Sequence, residues 1–177
     1  MTADALVLDA SVAIAIVRRE PTAPALRALV RASTAHGGRR LVPDDFWLEL
    51  ANVLVRRHRA SPEMVVEALR EVDDFDLESV RLDRPLLLAA LDLQAQLGLS
   101  AYDAAYLALA EAEDAQLLTL DVELARAAGG RAVRIPGAGR PRLSEGPAPY
   151  GSEAIDWARF GPYLARLRAE ARDAAAG

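Results

Sequence analysis

Two aspartates follow apolar segments of the chain at positions where their carboxylates could bind a metal ion. Asp9 comes directly after the apolar run 5–8, and Asp121 comes directly after the run 116–120. Because the carboxyl ends of parallel strands meet at one edge of an open sheet, the two carboxylates are expected to face one pocket. Each could instead serve only as the N-cap of the helix that follows it, a common role of aspartate.

Glu49 and Asp103 are two further acids that could join this pocket. Glu49 lies within the segment 45–59, which has helical periodicity, and its depth in that segment argues against a capping role. It shares a polar stripe with Asn52, which could equally be a solvated face of the helix. Asp103 comes three residues after Ser100, and this spacing also resembles a capping box.

Taken together, the four carboxylates predict a cation site. Clustered carboxylates repel one another unless a cation binds among them. Oxygen ligands of this kind suit Mg²⁺ or Mn²⁺. Such an ion orients and deprotonates a water molecule and offsets charge on a scissile phosphate, so the cluster indicates phosphodiester hydrolysis.

The composition excludes several other chemistries. The chain of 177 residues has no Lys and no Cys, and its 2 His residues cannot form a three-His metal site. P-loop nucleotide binding, Schiff-base chemistry and thiol nucleophiles are therefore excluded. The net charge of −5 argues against a basic nucleic-acid footprint over the whole chain.

The cellular location is expected to be the cytoplasm, with no membrane partner. No apolar run reaches the ~20 residues that span a bilayer. Residues 1–4 lack the basic region that begins a signal peptide.

The alternation of apolar runs and amphipathic segments predicts an α/β protein. Strands are predicted at 5–8, 41–42, 77–82, 116–120 and 132–135. Helices are predicted at 11–18, 25–31, 45–59, 61–72, 83–98, 101–113 and 122–128, with a break at Pro21 and Pro24 and a turn at 36–40. Strands that alternate with helices predict a parallel sheet with helices on its faces.

A change of composition at residue 136 divides the chain into two expected parts. Residues 1–135 carry the strand and helix pattern and form the first part. Residues 136–151 are rich in Gly and Pro and predict a linker, and residues 152–175 return to helical periodicity. We therefore expect 136–177 to be a linker and a C-terminal helical extension that docks through its apolar side chains.

Four segments of the chain share their order and spacing with a known family. They read VLDAS (7–11), PDDFWLELANVL (43–54), LSAYDAAYLALA (99–110) and LLTLD (117–121). In these segments the chain resembles the PIN-domain ribonucleases, most closely the VapC-type toxins of bacterial toxin–antitoxin pairs. The resemblance covers about residues 4–135. It implies a three-layer α/β/α sandwich with a central parallel sheet.

The same resemblance implies an activity, partners and a set of site residues. The activity is cleavage of single-stranded RNA with Mg²⁺ or Mn²⁺, and the partners are a cognate antitoxin protein and a second copy of the chain. The implied catalytic and metal-binding acids are Asp9, Glu49, Asp103 and Asp121, the last acting through the metal or a water. Ser11, Asn52 and Thr119 match accessory positions of the family.

Four arginines are candidates for substrate binding. Arg39, Arg40, Arg56 and Arg57 belong to the densest basic runs of the chain and could neutralise RNA phosphates. Arginines at a helix end are also favoured by the helix dipole, so these residues could equally be a solvated surface.

The leucines of the predicted helix 83–98 support a homodimer. Leu86, Leu87, Leu88 and Leu91 cannot all point at one core. A second copy of the chain is therefore expected to cover some of them.

Two other functions stay open at the level of the sequence. One is a non-catalytic PIN-like binding module, against which the presence of all four acids argues. The other is a phosphatase of the haloacid-dehalogenase type with Asp9 as nucleophile. That phosphatase needs a second aspartate two residues later, where this chain has Ser11, and it needs a lysine. Mn²⁺ binding that is lost in Asp9→Asn would identify the nuclease.

Overall fold

The computed structural model describes residues 5–35 and 37–136, without the side chains of residues 34 and 35. Four strands alternate with seven helices in these ranges: β1 (Ala5–Leu8), α1 (Ala10–Val17), α2 (Ala23–Ala35), β2 (Arg39–Pro43), α3 (Phe46–Arg56), α4 (Pro62–Asp73), β3 (Glu78–Val80), α5 (Arg84–Leu97), α6 (Ala101–Ala112), β4 (Gln116–Leu118) and α7 (Val122–Ala128). A short 3₁₀ turn follows at Gly129–Arg131. The predicted helical extension within 136–177 lies outside the described residues.

The sheet is parallel throughout and has the strand order β3-β2-β1-β4. Val7 at the centre of β1 is paired with Leu41 of β2 on one side and Leu117 of β4 on the other. All four residues of β1 are buried, as expected for a central strand that is covered on both faces. The carboxyl ends of β1 and β4 therefore lie side by side.

The helices form two groups. Helices α1 to α4 pack on one another and α2 contacts β2, whereas α6 lies on β1, β2 and β4 and carries α5. Residues 104–110 of α6 are all buried, and four of these seven are Ala, so this helix can lie close to the sheet. The arrangement confirms the predicted α/β/α sandwich with a central parallel sheet.

Local signals in the sequence explain where several helices begin and end. The Ser61 side chain accepts a hydrogen bond from the backbone N of Met64, ahead of a proline in the first turn of α4. Asp83 caps α5 in the same way. Gly98 ends α5 in the left-handed conformation, with φ of 72°, which glycine adopts without strain.

Three local predictions are wrong. The predicted strand 132–135 is reduced to one isolated bridge between Leu117 and Ala132. The predicted turn 36–40 overlaps β2, because Arg39 and Arg40 pair with β1. Pro24 lies inside α2 rather than before it, since the first turn of a helix tolerates proline.

Within residues 5–35 and 37–136, none of the helices combines the length and the apolar character that crossing a bilayer requires.

Candidate functional site

Asp9 is a buried acid at the carboxyl end of β1, and helix capping does not explain it. It occupies the N-cap position of α1, yet its side chain makes no capping hydrogen bond. Its Oδ2 instead accepts hydrogen bonds from the Ser11 hydroxyl and, at 2.6 Å, from Thr119 Oγ1. The side chain is only 4% exposed. A carboxylate held this way by two hydroxyls is oriented towards the ends of β1 and β4.

The two hydroxyls also fix the loop that follows β4. Ser11 Oγ accepts a hydrogen bond from the backbone N of Leu120 at 3.0 Å. Thr119 Oγ1 accepts one from the backbone N of Asp121 at 2.9 Å. The structure thus brings the predicted accessory residues Ser11 and Thr119 together with Asp9, although 110 positions separate Thr119 from Asp9 in the sequence.

Glu49 lies in the first turn of α3, not deep within a helix as its sequence context predicts. Its carboxylate is partly buried, and its Oε2 accepts a hydrogen bond of 2.7 Å from the phenol of Tyr106. Tyr106 is a fully buried residue of α6. Sequence reasoning missed this tyrosine, although a phenol on a helix that is mostly buried needs a polar partner and so signals one.

Asp103 lies in the first turn of α6, where Ser100 is the N-cap. The backbone N of Asp103 donates to Ser100 Oγ at 3.1 Å, as in a capping box. The Ser100 hydroxyl donates in turn to Asp103 Oδ2 at 2.6 Å, so the acid bonds the side chain of the cap. Capping therefore orients Asp103.

Asp121 is the N-cap of α7, and here the capping interpretation is confirmed. Its Oδ1 accepts a hydrogen bond of 2.8 Å from the backbone N of Leu124. Its position three residues beyond β4 nevertheless places its charge close enough to Asp103 to raise the pKa of that acid.

The pKa values of three acids show that burial and mutual repulsion act on them. Burial, with a smaller effect of the Asp103 charge, raises the pKa of Asp9 to about 6 against the hydrogen bonds from its two hydroxyls. Burial followed by repulsion from Asp9 and Asp103 raises the pKa of Glu49 to about 8. Burial, aided by the Asp121 charge, raises the pKa of Asp103. The four acids thus form one electrostatically coupled group at the carboxyl edge of the sheet.

This donor set fits a hard divalent cation. It supplies carboxylate oxygens, which Mg²⁺ and Mn²⁺ prefer, and the repulsion that raises the pKa values of Asp9 and Glu49 is what a bound cation would remove. In the part of the chain that the structure describes, no three His, Cys, Asp or Glu side chains are already arranged to hold a metal ion.

The remaining candidate residues lie farther from the acids along their elements. Asn52 lies one turn after Glu49 on α3, whereas Arg56 and Arg57 stand at the far end of that helix. Their predicted roles in the site and in RNA binding stay predictions.

Arg39 and Arg40 begin β2 opposite the first residues of β1, at the end of the sheet away from Asp9. Arg39 binds Glu78 at 2.7 Å and Glu113 at 2.6 Å, and the buried Arg40 binds Asp76 at 2.9 Å. These ion pairs give both arginines partners within the fold. That they contact RNA also stays a prediction.

A comparison with protein families assigns the chain to a family. The model of the PIN domain matches residues 6–130. The chain therefore belongs to the PIN domain family, whose members are generally nucleases that use divalent metal ions.

A comparison with solved structures agrees with that assignment at the level of the fold. A chain from a structure described as a toxin–antitoxin complex from Klebsiella pneumoniae superimposes with a TM-score of 0.50. The two sequences are 16% identical, and the match covers 78% of this chain and 99% of the other. A search of curated proteins found no match.

Proposed function

We propose that this protein is a metal-dependent endoribonuclease that cleaves single-stranded RNA. The observation that carries the proposal is the position of Asp9, buried at the end of β1 and repelled by Asp103, beside Glu49 with its raised pKa. Such a group is costly for the fold unless a cation binds to it. The Mg²⁺ or Mn²⁺ ion that fits it is the one that phosphodiester hydrolysis requires.

In the proposed mechanism, Asp9, Glu49 and Asp103 would hold the cation and Asp121 would assist through it or through a water. When bound, the ion supplies an activated water and neutralises charge on the scissile phosphate. Ser11 and Thr119 keep the Asp9 carboxylate oriented by donating hydrogen bonds to its Oδ2. Ser100 does the same for Asp103. These three hydroxyls orient Asp9 and Asp103 before substrate binds.

We further propose that the nuclease is a VapC-type toxin of a type II toxin–antitoxin pair, acting in the cytoplasm and inhibited by a cognate antitoxin. The four segments that resemble such toxins support this, and so does the likeness in fold to a chain of a toxin–antitoxin complex. The cation would come from the cell, and the antitoxin would be a separate chain.

The activity is tested with purified protein, free of any partner, and a pool of single-stranded RNA. We expect cleavage with added Mg²⁺ and none with excess EDTA, because the proposed reaction needs the cation to activate water and to offset charge on the scissile phosphate. Gel electrophoresis of labelled RNA measures the products. Restoration by Mn²⁺ after EDTA treatment is the control, and cleavage that persists in EDTA contradicts the mechanism.

A homodimer is also proposed, with α5 in its interface. Only Ala90 of this helix is buried, and the exposed fractions of Leu87, Leu88 and Leu91 are 40%, 56% and 43%. Neighbouring leucines on one helix form an apolar surface of the kind that a partner covers. Because the surface lies on the helix that packs outside α6, a second copy can reach it without disturbing the sheet.

We expect the wild-type protein to be a dimer at micromolar concentration and Leu88→Asp to be a monomer. Burying an unpaired carboxylate in an apolar interface costs several kcal/mol, enough to weaken association at least about a hundredfold. Light scattering measures the mass. Met64→Asp, at another exposed apolar residue, is the matched control and should stay dimeric. A monomeric wild type, or a dimeric Leu88→Asp, contradicts the interface.

A further inference from the structure

We propose that Tyr106 is a positioning residue, which holds the Glu49 carboxylate in place so that it can bind the metal ion. The proposal rests on the function proposed above, because it concerns the same acids. Its basis is the hydrogen bond of 2.7 Å from the Tyr106 phenol to Glu49 Oε2.

The bond joins two helices that come from different parts of the chain. Glu49 belongs to α3 and Tyr106 to α6, and 57 positions separate them. Tyr106 also lies three residues after Asp103, so both are on one face of α6. The phenol therefore connects the helix that carries Asp103 to Glu49 on α3. Among the described residues, no backbone hydrogen bond connects these two helices.

Burial makes the phenol a rigid support. Tyr106 is 1% exposed, is among the largest fully buried side chains and belongs to the hydrophobic core. A ring enclosed on all sides has one rotamer, so its hydroxyl has a fixed position. A flexible acid that accepts a hydrogen bond from a fixed donor is itself fixed, at a lower entropy cost when the ligand binds.

The choice of partner also points to a role beyond satisfying a buried hydroxyl. The phenol donates to a carboxylate that Asp9 and Asp103 already repel. A donor directed at this acid stabilises its charged form, which is the form that binds a cation. Because the bond uses Oε2, Oε1 would remain available to a cation. Supporting partners of metal ligands typically change metal affinity by 10–100-fold.

The experiment measures Mn²⁺ binding to the full-length protein by calorimetry, without RNA. We expect Tyr106→Phe, which keeps the ring and removes only the hydroxyl, to raise the Kd for Mn²⁺ about 10–100-fold. Circular dichroism melting checks that the variant is folded. Ser33→Ala is the matched control, because it removes a hydroxyl that donates to the backbone O of Val30 at 2.7 Å, and it should leave the Kd unchanged.

A double-mutant cycle separates support of Glu49 from a general packing effect. If Tyr106 acts through Glu49, then Tyr106→Phe changes the Kd in the wild type and leaves it unchanged in Glu49→Gln. Absence of Mn²⁺ binding by the wild type would overturn the proposed function together with this inference. Wild-type binding that is unchanged in Tyr106→Phe, or a loss of the same size in both backgrounds, overturns the inference alone.

If Tyr106→Phe does not fold, Glu49→Gln still tests the hydrogen bond between Tyr106 and Glu49, because it changes the acceptor instead of the donor. Removing the charge of Glu49 then removes the acceptor that the phenol bonds best. We expect the phenol to lose this charged partner, which shifts the near-ultraviolet tyrosine signal of Glu49→Gln relative to the wild type. An unchanged tyrosine signal in that variant overturns the inference.

Discussion

Asp9→Asn is expected to lower the rate of RNA cleavage by at least about a hundredfold, which corresponds to roughly 3 kcal/mol of barrier. The substitution removes one of the charges that would hold the cation, and the cation is the source of the activated water. The fold should be retained, because the amide oxygen of asparagine can still accept from Ser11 and Thr119. Asp103→Asn should have an effect of similar size.

Cleavage rates under single-turnover conditions measure this loss, with Mn²⁺ binding as an independent readout. Asp92→Asn is the matched control, because Asp92 is an exposed acid of α5 whose carboxylate accepts a hydrogen bond of 2.7 Å from Gln96, one turn later on the same helix. It should cleave RNA at the wild-type rate. Asp9→Asn or Asp103→Asn protein that cleaves at the wild-type rate would exclude these acids from the reaction.

The second large effect is on stability: the metal-free protein should become more stable as the pH falls from 8 to 5. The pKa of Asp9 rises from 3.8 when unfolded to about 6 in the fold, and that of Glu49 rises from 4.5 to about 8. A raised pKa means that the folded state binds the proton more tightly. The stabilisation is therefore complete below pH ~4 and is lost as the pH rises through 6 and 8.

Urea unfolding in EDTA at several pH values measures the free energy of unfolding. Between pH 8 and pH 5, Asp9 alone should contribute about 1.4 kcal/mol to the change in this free energy, because the pH then falls about one unit below its folded pKa of about 6 and one pKa unit corresponds to about 1.4 kcal/mol. Glu49→Gln should remove the part of the change in the free energy of unfolding that occurs between pH 6 and 8. Mg²⁺ should stabilise the wild type most at pH 8, where both acids are ionised. A free energy of unfolding that rises from pH 5 to pH 8 would contradict the coupled acids.

The sequence predicts the layers of this fold well, because burial leaves a clear pattern. The buried run 5–8 is read as a strand, and the caps Ser61 and Ser100 mark helices α4 and α6. The strand predicted at 132–135 fails because an apolar run needs a partner along its whole length, and only Ala132 finds one. Long-range pairing of this kind is not visible in local periodicity.

The candidate site is predictable in part, because some of its residues are placed by the strands that precede them. Asp9 and Asp121 are identifiable because each follows an apolar run that the sequence predicts as a strand, and the carboxyl edge of a parallel sheet gathers such residues. The Tyr106–Glu49 bond depends on how α3 and α6 approach each other, which no single segment encodes. The sequence likewise predicts Arg39 as part of a basic turn. In the structure its side chain forms ion pairs with Glu78 and Glu113, which belong to other parts of the fold.

The bond between Thr119 and Asp9 also sets an order of events during synthesis of the chain. Asp9 leaves the ribosome early, but Thr119, one of the two residues that orient it, is made 110 positions later. At about 5–20 residues per second, that interval lasts roughly 5–20 s. Until β4 has been made and has paired with β1, a nascent chain lacks the second of the two hydroxyls that orient Asp9. On the proposed function, an unfinished chain cannot cut the messenger RNA from which it is being translated.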